Sequence, residues 1–133
     1  MAIKRFGVSI DEEVLATLDR YVRENNFANR SQVIRSLVEQ YIVDNKWQKN
    51  EEVAGAIVIL YDHHKSDILV KLNEIQHDYH ELILSSQHFH LDHDTCLEII
   101  AVKGRARLLQ EVADLILSRK GIIHGKLVMS KAE

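Results

Sequence analysis

Residues Arg5-Phe6-Gly7-Val8-Ser9-Ile10 alternate polar and apolar side chains, and no second stretch of that kind occurs before Val53. A period of two puts Phe6, Val8 and Ile10 on one face and Arg5, Gly7 and Ser9 on the other. A strand this short is not stable alone and needs a partner. The nearby chain offers none, so pairing two copies antiparallel across a two-fold axis is the solution open to it.

The next forty residues read as helical. Val14, Leu15, Leu18, Tyr21 and Val22 recur at the spacing of an amphipathic stripe, with Asp11, Glu12 and Glu13 expected in the first turn, where acids favour the helix dipole. Glu24-Asn25-Asn26-Phe27-Ala28-Asn29 reads as a turn. Asn29 or Ser31 can cap a second helix whose face carries Val33, Ile34, Leu37, Val38, Tyr41 and Ile42. Strand, helix, turn, helix, too small to bury a core as a monomer, is the ribbon-helix-helix plan, in which a two-stranded ribbon enters the DNA major groove. On that plan Arg5, Gly7 and Ser9 face base edges, where arginine can bond guanine twice and serine can bond several bases. Backbone N–H groups at Asn29, Arg30 and Ser31 would meet phosphate, with Arg35 one turn further on. The competing possibility is a dimerisation module with a solvated strand face.

Net charge argues at first against DNA, since the chain carries 17 basic and 20 acidic residues. The charge is uneven, however. Residues 1–50 hold eight basic and seven acidic side chains, and the remainder holds nine and thirteen. The acidic excess therefore lies in the second part. A polar stretch around one aromatic, Trp47 to Glu52, marks the expected junction, giving domains 1–50 and 51–133.

The second part alternates strand and helix. Val53–Tyr61, Leu82–Leu91, Cys96–Val102 and Ile122–Met129 read as strands, and Lys65–His80 and Gly104–Lys120 as helices, with Gly121 as a stop signal. This order, β-α-β-β-α-β, is the ferredoxin-like layout, so the fold class is α+β. Layout alone does not fix function.

Seven of the eight histidines fall between residues 63 and 93, and the single cysteine is Cys96. His88-Phe89-His90 puts two imidazoles on one strand face, and a turn at Asp92-His93-Asp94 would return Cys96 beside His90. Two imidazoles and a thiolate make three ligands, and a further histidine would complete four. By donor softness the set suits Zn(II), Cu(II) or Ni(II), and spacing alone does not decide the geometry. Glu98 would share the strand face of Cys96 and could orient a ligand imidazole, the alternative being a surface acid. Taken singly, His63, His64, His80, His93 and His124 read as structural or solvated. A lone cysteine admits no intrachain disulfide and suits a reducing compartment. No apolar run approaches the length of a membrane span, and the N-terminal residues lack the apolar stretch of a secretory signal.

The N-terminal strand-helix-helix, Gln76-His77 on the first helix of the βαββαβ part, and His88-x-His90-x5-Cys96-Leu97-Glu98-Ile99 together resemble the nickel-responsive repressor (NikR) family over nearly the whole chain. Asn29-Arg30-Ser31 and His124-Gly125 support the resemblance. It implies a cytoplasmic homotetramer, two ribbon-helix-helix dimers flanking a core of ACT-like regulatory domains. It further implies one Ni(II) per subunit in a square plane of His88, His90 and Cys96 with His77 from a neighbouring subunit. Nickel would then promote binding to a two-part double-stranded DNA operator, usually repressing nickel-uptake genes.

Three departures bear on these implications. Gly7 stands at the central reading position, where a hydrogen-bonding side chain is expected. Gln32 and Ser36 stand where some members carry acids for a further cation. His77-Asp78-Tyr79-His80 is less histidine-dense than in some members, which speaks against weaker accessory metal sites. The alternatives are a regulator of another transition metal, or a storage or structural metal module without gating. An enzyme is not expected, since four protein ligands leave no open coordination position and no nucleophile arrangement or phosphate-binding glycine loop is visible.

Overall fold

The computed structural model describes every residue except Ser66. The chain forms two compact units, Met1–Tyr41 and Ile42–Glu133.

In the first unit, α1 spans Glu12–Glu24, and α2, Arg30–Gln48, begins there and runs on past its end. Asp11 is not in the first turn of α1. It is the cap, and its side chain accepts the Val14 N–H at 2.9 Å. Asn29 caps α2 by accepting the Gln32 N–H (3.0 Å), while the Gln32 side chain accepts the Ala28 N–H (3.1 Å). Asn26 turns the chain between the helices at φ 58°, a conformation asparagine tolerates.

Residues 1–11 carry no regular secondary structure and are exposed throughout. The alternating segment expected as a strand thus forms no ladder, because no second strand of this unit can pair with it. Val33 is the one fully buried residue among those described here, with Leu15, Leu18, Val22, Phe27 and Ile34 partly covered around it. Of the apolar face expected for α2, Leu37, Val38 and Tyr41 lie open, with Leu37 58% and Tyr41 68% exposed, and Phe6 before it is 73% exposed.

The second unit has the expected element order. It consists of β1 (Glu52–Asp62), α3 (Ile68–Asp78), β2 (Ile83–His90), β3 (Thr95–Arg105), α4 (Ala106–Leu117) and β4 (Ile122–Lys131). The sheet order is β2-β3-β1-β4 and all neighbours are antiparallel. β3 continues through Gly104 and Arg105, expected in the helix, because these residues pair with Val53 and Glu52 of β1. One sheet face carries Val53, Ile57, Ile59 and Tyr61 of β1 with Cys96, Ile100 and Val102 of β3. Ile68, Leu72 and Ile75 of α3 and Leu109, Val112, Ala113 and Ile116 of α4 complete this core. The other face presents Ala54, Ala56, Val58, Leu60, Leu97, Ile99 and Ala101, all partly exposed.

The expected junction at Trp47–Glu52 belongs to the second unit, so the compact units divide at Tyr41/Ile42 instead of at 50/51. Trp47 is buried in the second unit's core and its Nε1–H donates to the Ser130 carbonyl at 2.8 Å. Asn50, at φ 55°, accepts the Arg107 N–H on its side chain at 2.9 Å. An aromatic ring and an amide that read as linker polarity are here anchors.

The close approach of β4 explains Gly55. A Cβ there would stand 2.5 Å from the Val128 carbonyl oxygen and 3.5 Å from Trp47 Cζ2. The first obstacle is backbone of the paired strand and cannot step aside. Gly55→Ala is therefore expected to destabilise the chain by about 1–3 kcal/mol. Urea unfolding of the two proteins checks it, and an unchanged midpoint would refute the close approach.

Candidate metal centre

β2 is an edge strand whose register sets His88 opposite Glu98 and His90 opposite Cys96. Opposed residues share a face, so these four side chains lie together on the helix-covered side of the sheet. The edge position leaves both β2 histidines exposed, while Cys96 is fully buried. His90 Nδ1 lies 3.3 Å from Cys96 Sγ. The ring of His88 stands edge-on to that of His90 at 5.5 Å.

The third donor that this chain brings to the pair is His63, just past β1. Ligand atoms of His63, His90 and Cys96 all lie within 4.8 Å of one another. The His63 ring is 5.4 Å from that of His90. His77 stands exposed in the last turn of α3. Among the described residues, neither His77 nor His88 belongs to a three-donor group within one chain.

Burial pushes the Cys96 thiol up from its ordinary value, and the nearby carboxyl groups of Glu98, Asp62 and Asp92 add to that. Without a cation the thiol is therefore held in its neutral form. Imidazole and thiolate donors this close fit a borderline divalent transition ion, so the donor chemistry suits nickel, zinc or copper.

Glu98 is not a surface acid, being only 4% exposed. It accepts hydrogen bonds from the Tyr61 hydroxyl (3.0 Å), the Gln76 side-chain amide (2.8 Å) and the Ser86 hydroxyl (2.7 Å). Burial raises the Tyr61 phenol, and the adjacent Glu98 raises it further. Glu98 thus ties β1, α3 and β2 together one residue from His77 and two from His88. Tyr61 and Ser86 were not singled out by sequence, and Gln76 was noted only beside His77. The available signal was alternation: Ser86, His88 and His90 share one strand face, as do Cys96 and Glu98.

In the first unit, Arg5, Ser31 and Arg35 line one open hollow together with Lys4 and Ile34. Ser9 is exposed, and a Cβ on Gly7 would meet nothing within 4 Å. Asn29 spends its side chain on the cap. The Arg30 guanidinium is committed to both carboxyl oxygens of Asp19 at 2.8 and 3.0 Å. That hydrogen bonding holds Asp19 below its ordinary value.

A helix pair preceded by an alternating basic segment, joined to a βαββαβ unit with a His/Cys donor cluster, is the build of a transcriptional regulator with a metal-ligating second domain. Comparison with known proteins agrees. Residues 54–130 match the NikR C terminal nickel binding domain, and residues 4–44 match the ribbon-helix-helix protein family of copG type. A relative in Syntrophus aciditrophicus is 47% identical over 96% of this chain and 93% of its own length. Relatives in Thermococcus kodakarensis and Pyrococcus furiosus are each 47% identical over 98% of this chain and 95% of their own. All three are named, provisionally, as nickel-responsive regulators.

The chain belongs to the nickel-responsive regulator (NikR) family. It is accordingly a regulator and not an enzyme. An uncharacterized protein of Thermotoga maritima shares the fold alone, with a TM-score of 0.55 and 16% identity over 61% of this chain and 100% of its own. Among the described residues, no helix is long and apolar enough to cross a membrane.

Proposed function

We propose that this chain binds one Ni(II) per subunit through His88, His90 and Cys96, with His77 supplied by a neighbouring subunit. It works as a cytoplasmic homotetramer, a dimer of dimers, that grips a double-stranded DNA operator when metal is bound and represses nickel uptake. The observation that carries this reading is His90 on the exposed edge strand β2, 3.3 Å from the buried Cys96 of the neighbouring β3, with His88 on the same face. An exposed edge leaves room for a donor from outside the chain, and His77 takes no part in a cluster of its own.

Two uncovered surfaces support assembly. The apolar side chains of Phe6, Val8 and Ile10 are exposed, and pairing two segments would give them both a ladder and a core. The partly exposed Ala, Val, Leu and Ile face of the second unit's sheet is of the kind that associates. Dimerisation would also bring two Arg5 side chains onto one ribbon. Metal can raise DNA affinity only by as much as it favours the DNA-competent arrangement.

An operator gel shift with and without Ni(II), Zn(II), Cu(II) and Co(II) tests the reading. Nickel is expected to tighten binding, and equal affinity with and without every metal would sink the gating. Arg5→Ala is expected to weaken specific binding by about 1–3 kcal/mol for each guanine it reads. Specific binding unchanged by that substitution would remove Arg5 from the reading face.

One observation favours a second ligand set. His63, not His88, is grouped with His90 and Cys96 in the single chain. Separate His63→Ala and His88→Ala variants distinguish the two sets, because the true ligand is the one whose loss alters the Ni(II) absorption spectrum.

A further inference from the structure

Asp19 stands in the second half of α1, and Arg30 is the first residue of α2. Arg30 Nε donates to one carboxyl oxygen of Asp19 at 2.8 Å and Nη2 to the other at 3.0 Å. Two parallel bonds of this kind are the firmest hold a carboxylate has on a guanidinium. Ser31, the next residue, lines the open hollow that also holds Lys4, Arg5 and Arg35. The pair therefore stands at the end of α2 expected to meet phosphate.

The fold does not need this pair to hold its helices. The side chains are 57% and 35% exposed, and a surface pair of that kind adds little stability. The turn between the helices is fixed by other contacts. The Phe27 N–H donates to the Val22 carbonyl at 3.0 Å, and the Phe27 ring stacks on Tyr21 with centroids 5.8 Å apart. Asn29 and Gln32 close the start of α2 with their own hydrogen bonds. What the carboxylate does change is charge. The first turn of α2 carries no acid, and Asp19 brings an anion there from α1.

We propose that Asp19 sets the strength of the DNA contact by withholding the Arg30 guanidinium from phosphate. This role rests on the DNA binding proposed above. A phosphate contact adds affinity to every sequence alike, whereas base contacts separate one sequence from another. Paired, Asp19 and Arg30 present no net charge to a duplex. Unpaired, Arg30 adds one cation per chain to a unit whose first fifty residues carry eight basic and seven acidic side chains. A uniform gain of that kind brings the metal-free form onto DNA as well as the metal-bound one. The carboxylate thus keeps the ungated state off DNA, at the cost of affinity in the gated one.

The test follows binding of the full-length chain, with Ni(II), to a random-sequence DNA duplex across a salt series by fluorescence anisotropy. Asp19→Ala is expected to tighten binding by about tenfold at low salt. It should also steepen the slope of log affinity against log salt by about 0.9 for each arginine released. A merely structural role would weaken binding instead. The variant should keep its circular dichroism, since alanine is the better helix former. Adding Arg30→Ala should remove the gain and restore the parent slope. Glu24→Ala takes the same charge off the last residue of α1 and should leave the slope nearly unchanged. The inference is overturned if Asp19→Ala leaves the slope unmoved, if it weakens binding, or if Glu24→Ala matches it. A parent chain that binds no duplex at any salt concentration would overturn the DNA reading itself, and this inference with it.

Discussion

Cys96→Ala is expected to abolish the thiolate charge-transfer band that Ni(II) raises in the parent protein. Affinity should fall by more than the about 10–100-fold that losing an outer hydrogen-bonding partner costs. The reason lies in the donor set. Every other ligand in the proposed set is an imidazole, and Cys96 is the only thiol the chain has. The variant should still fold. Cys96 is buried as a small side chain, and its replacement removes one atom from a core of more than a dozen apolar residues. A circular dichroism spectrum unchanged from the parent isolates the loss to the metal.

The same thiol predicts the pH response. Burial and nearby carboxyl groups hold it above its ordinary value, so the metal-free chain keeps the proton at neutral pH. Ligation needs the thiolate, so binding expels a proton. Affinity therefore rises with pH and falls as pH drops, by about tenfold per unit for each proton released. At lower pH, protons compete for the imidazoles as well, and the dependence steepens. A Ni(II) spectrum indifferent to Cys96→Ala, or an affinity flat between pH 6 and 8, on the order of two units, would remove Cys96 from the site.

The parts of the fold most legible in the sequence were those whose periodicity is enforced within one chain. β1 is paired on both sides and reads as an unbroken apolar run, and the α4 stripe from Leu109 to Ile116 buries its face against the same sheet. The N-terminal segment was legible in its pattern and not in its structure. Phe6, Val8 and Ile10 alternate as a strand does, but alternation says which face is apolar and cannot supply the other half of a ladder. Trp47 failed for the opposite reason. Polar neighbours made it look like linker, while its place in the core depends on Ser130, 83 residues away.

The metal cluster divides the same way. His90 beside Cys96 follows from strand alternation plus one turn, and the register places them opposite each other. His63 could not be joined to that cluster from spacing. What brings it there is the contact of the loop after β1 with the turn at residues 92–94, a tertiary event with no local signature. Each histidine considered alone looked solvated. The close spacing of His63 and His64 in sequence was the one hint available.

Glu98→Ala is expected to cost the second unit about 2–4 kcal/mol of stability, and Glu98→Gln about 1 kcal/mol. The difference comes from what each substitution leaves behind. Alanine removes the acceptor for three donors. Ser86 is exposed and can turn its hydroxyl to water, and Gln76 is only half-buried. Tyr61 is fully buried, so its hydroxyl bears most of the penalty, with a cavity added to it. Glutamine keeps the volume and one oxygen, which can still accept from Tyr61. Its amide would face Gln76 and Ser86, where the serine hydroxyl can rotate to accept instead. Chemical denaturation of the metal-free proteins checks the order alanine, glutamine, parent. If the alanine variant matched the parent, the three hydrogen bonds would not be holding β1, α3 and β2 together. A second effect is expected if His77 and His88 are ligands. Gln76 precedes the first and Ser86 shares a strand face with the second, so loosening both should weaken Ni(II) by about 10–100-fold. The glutamine variant separates the two effects: it stays folded, so any loss of Ni(II) affinity in it reports on ligand positioning and not on unfolding.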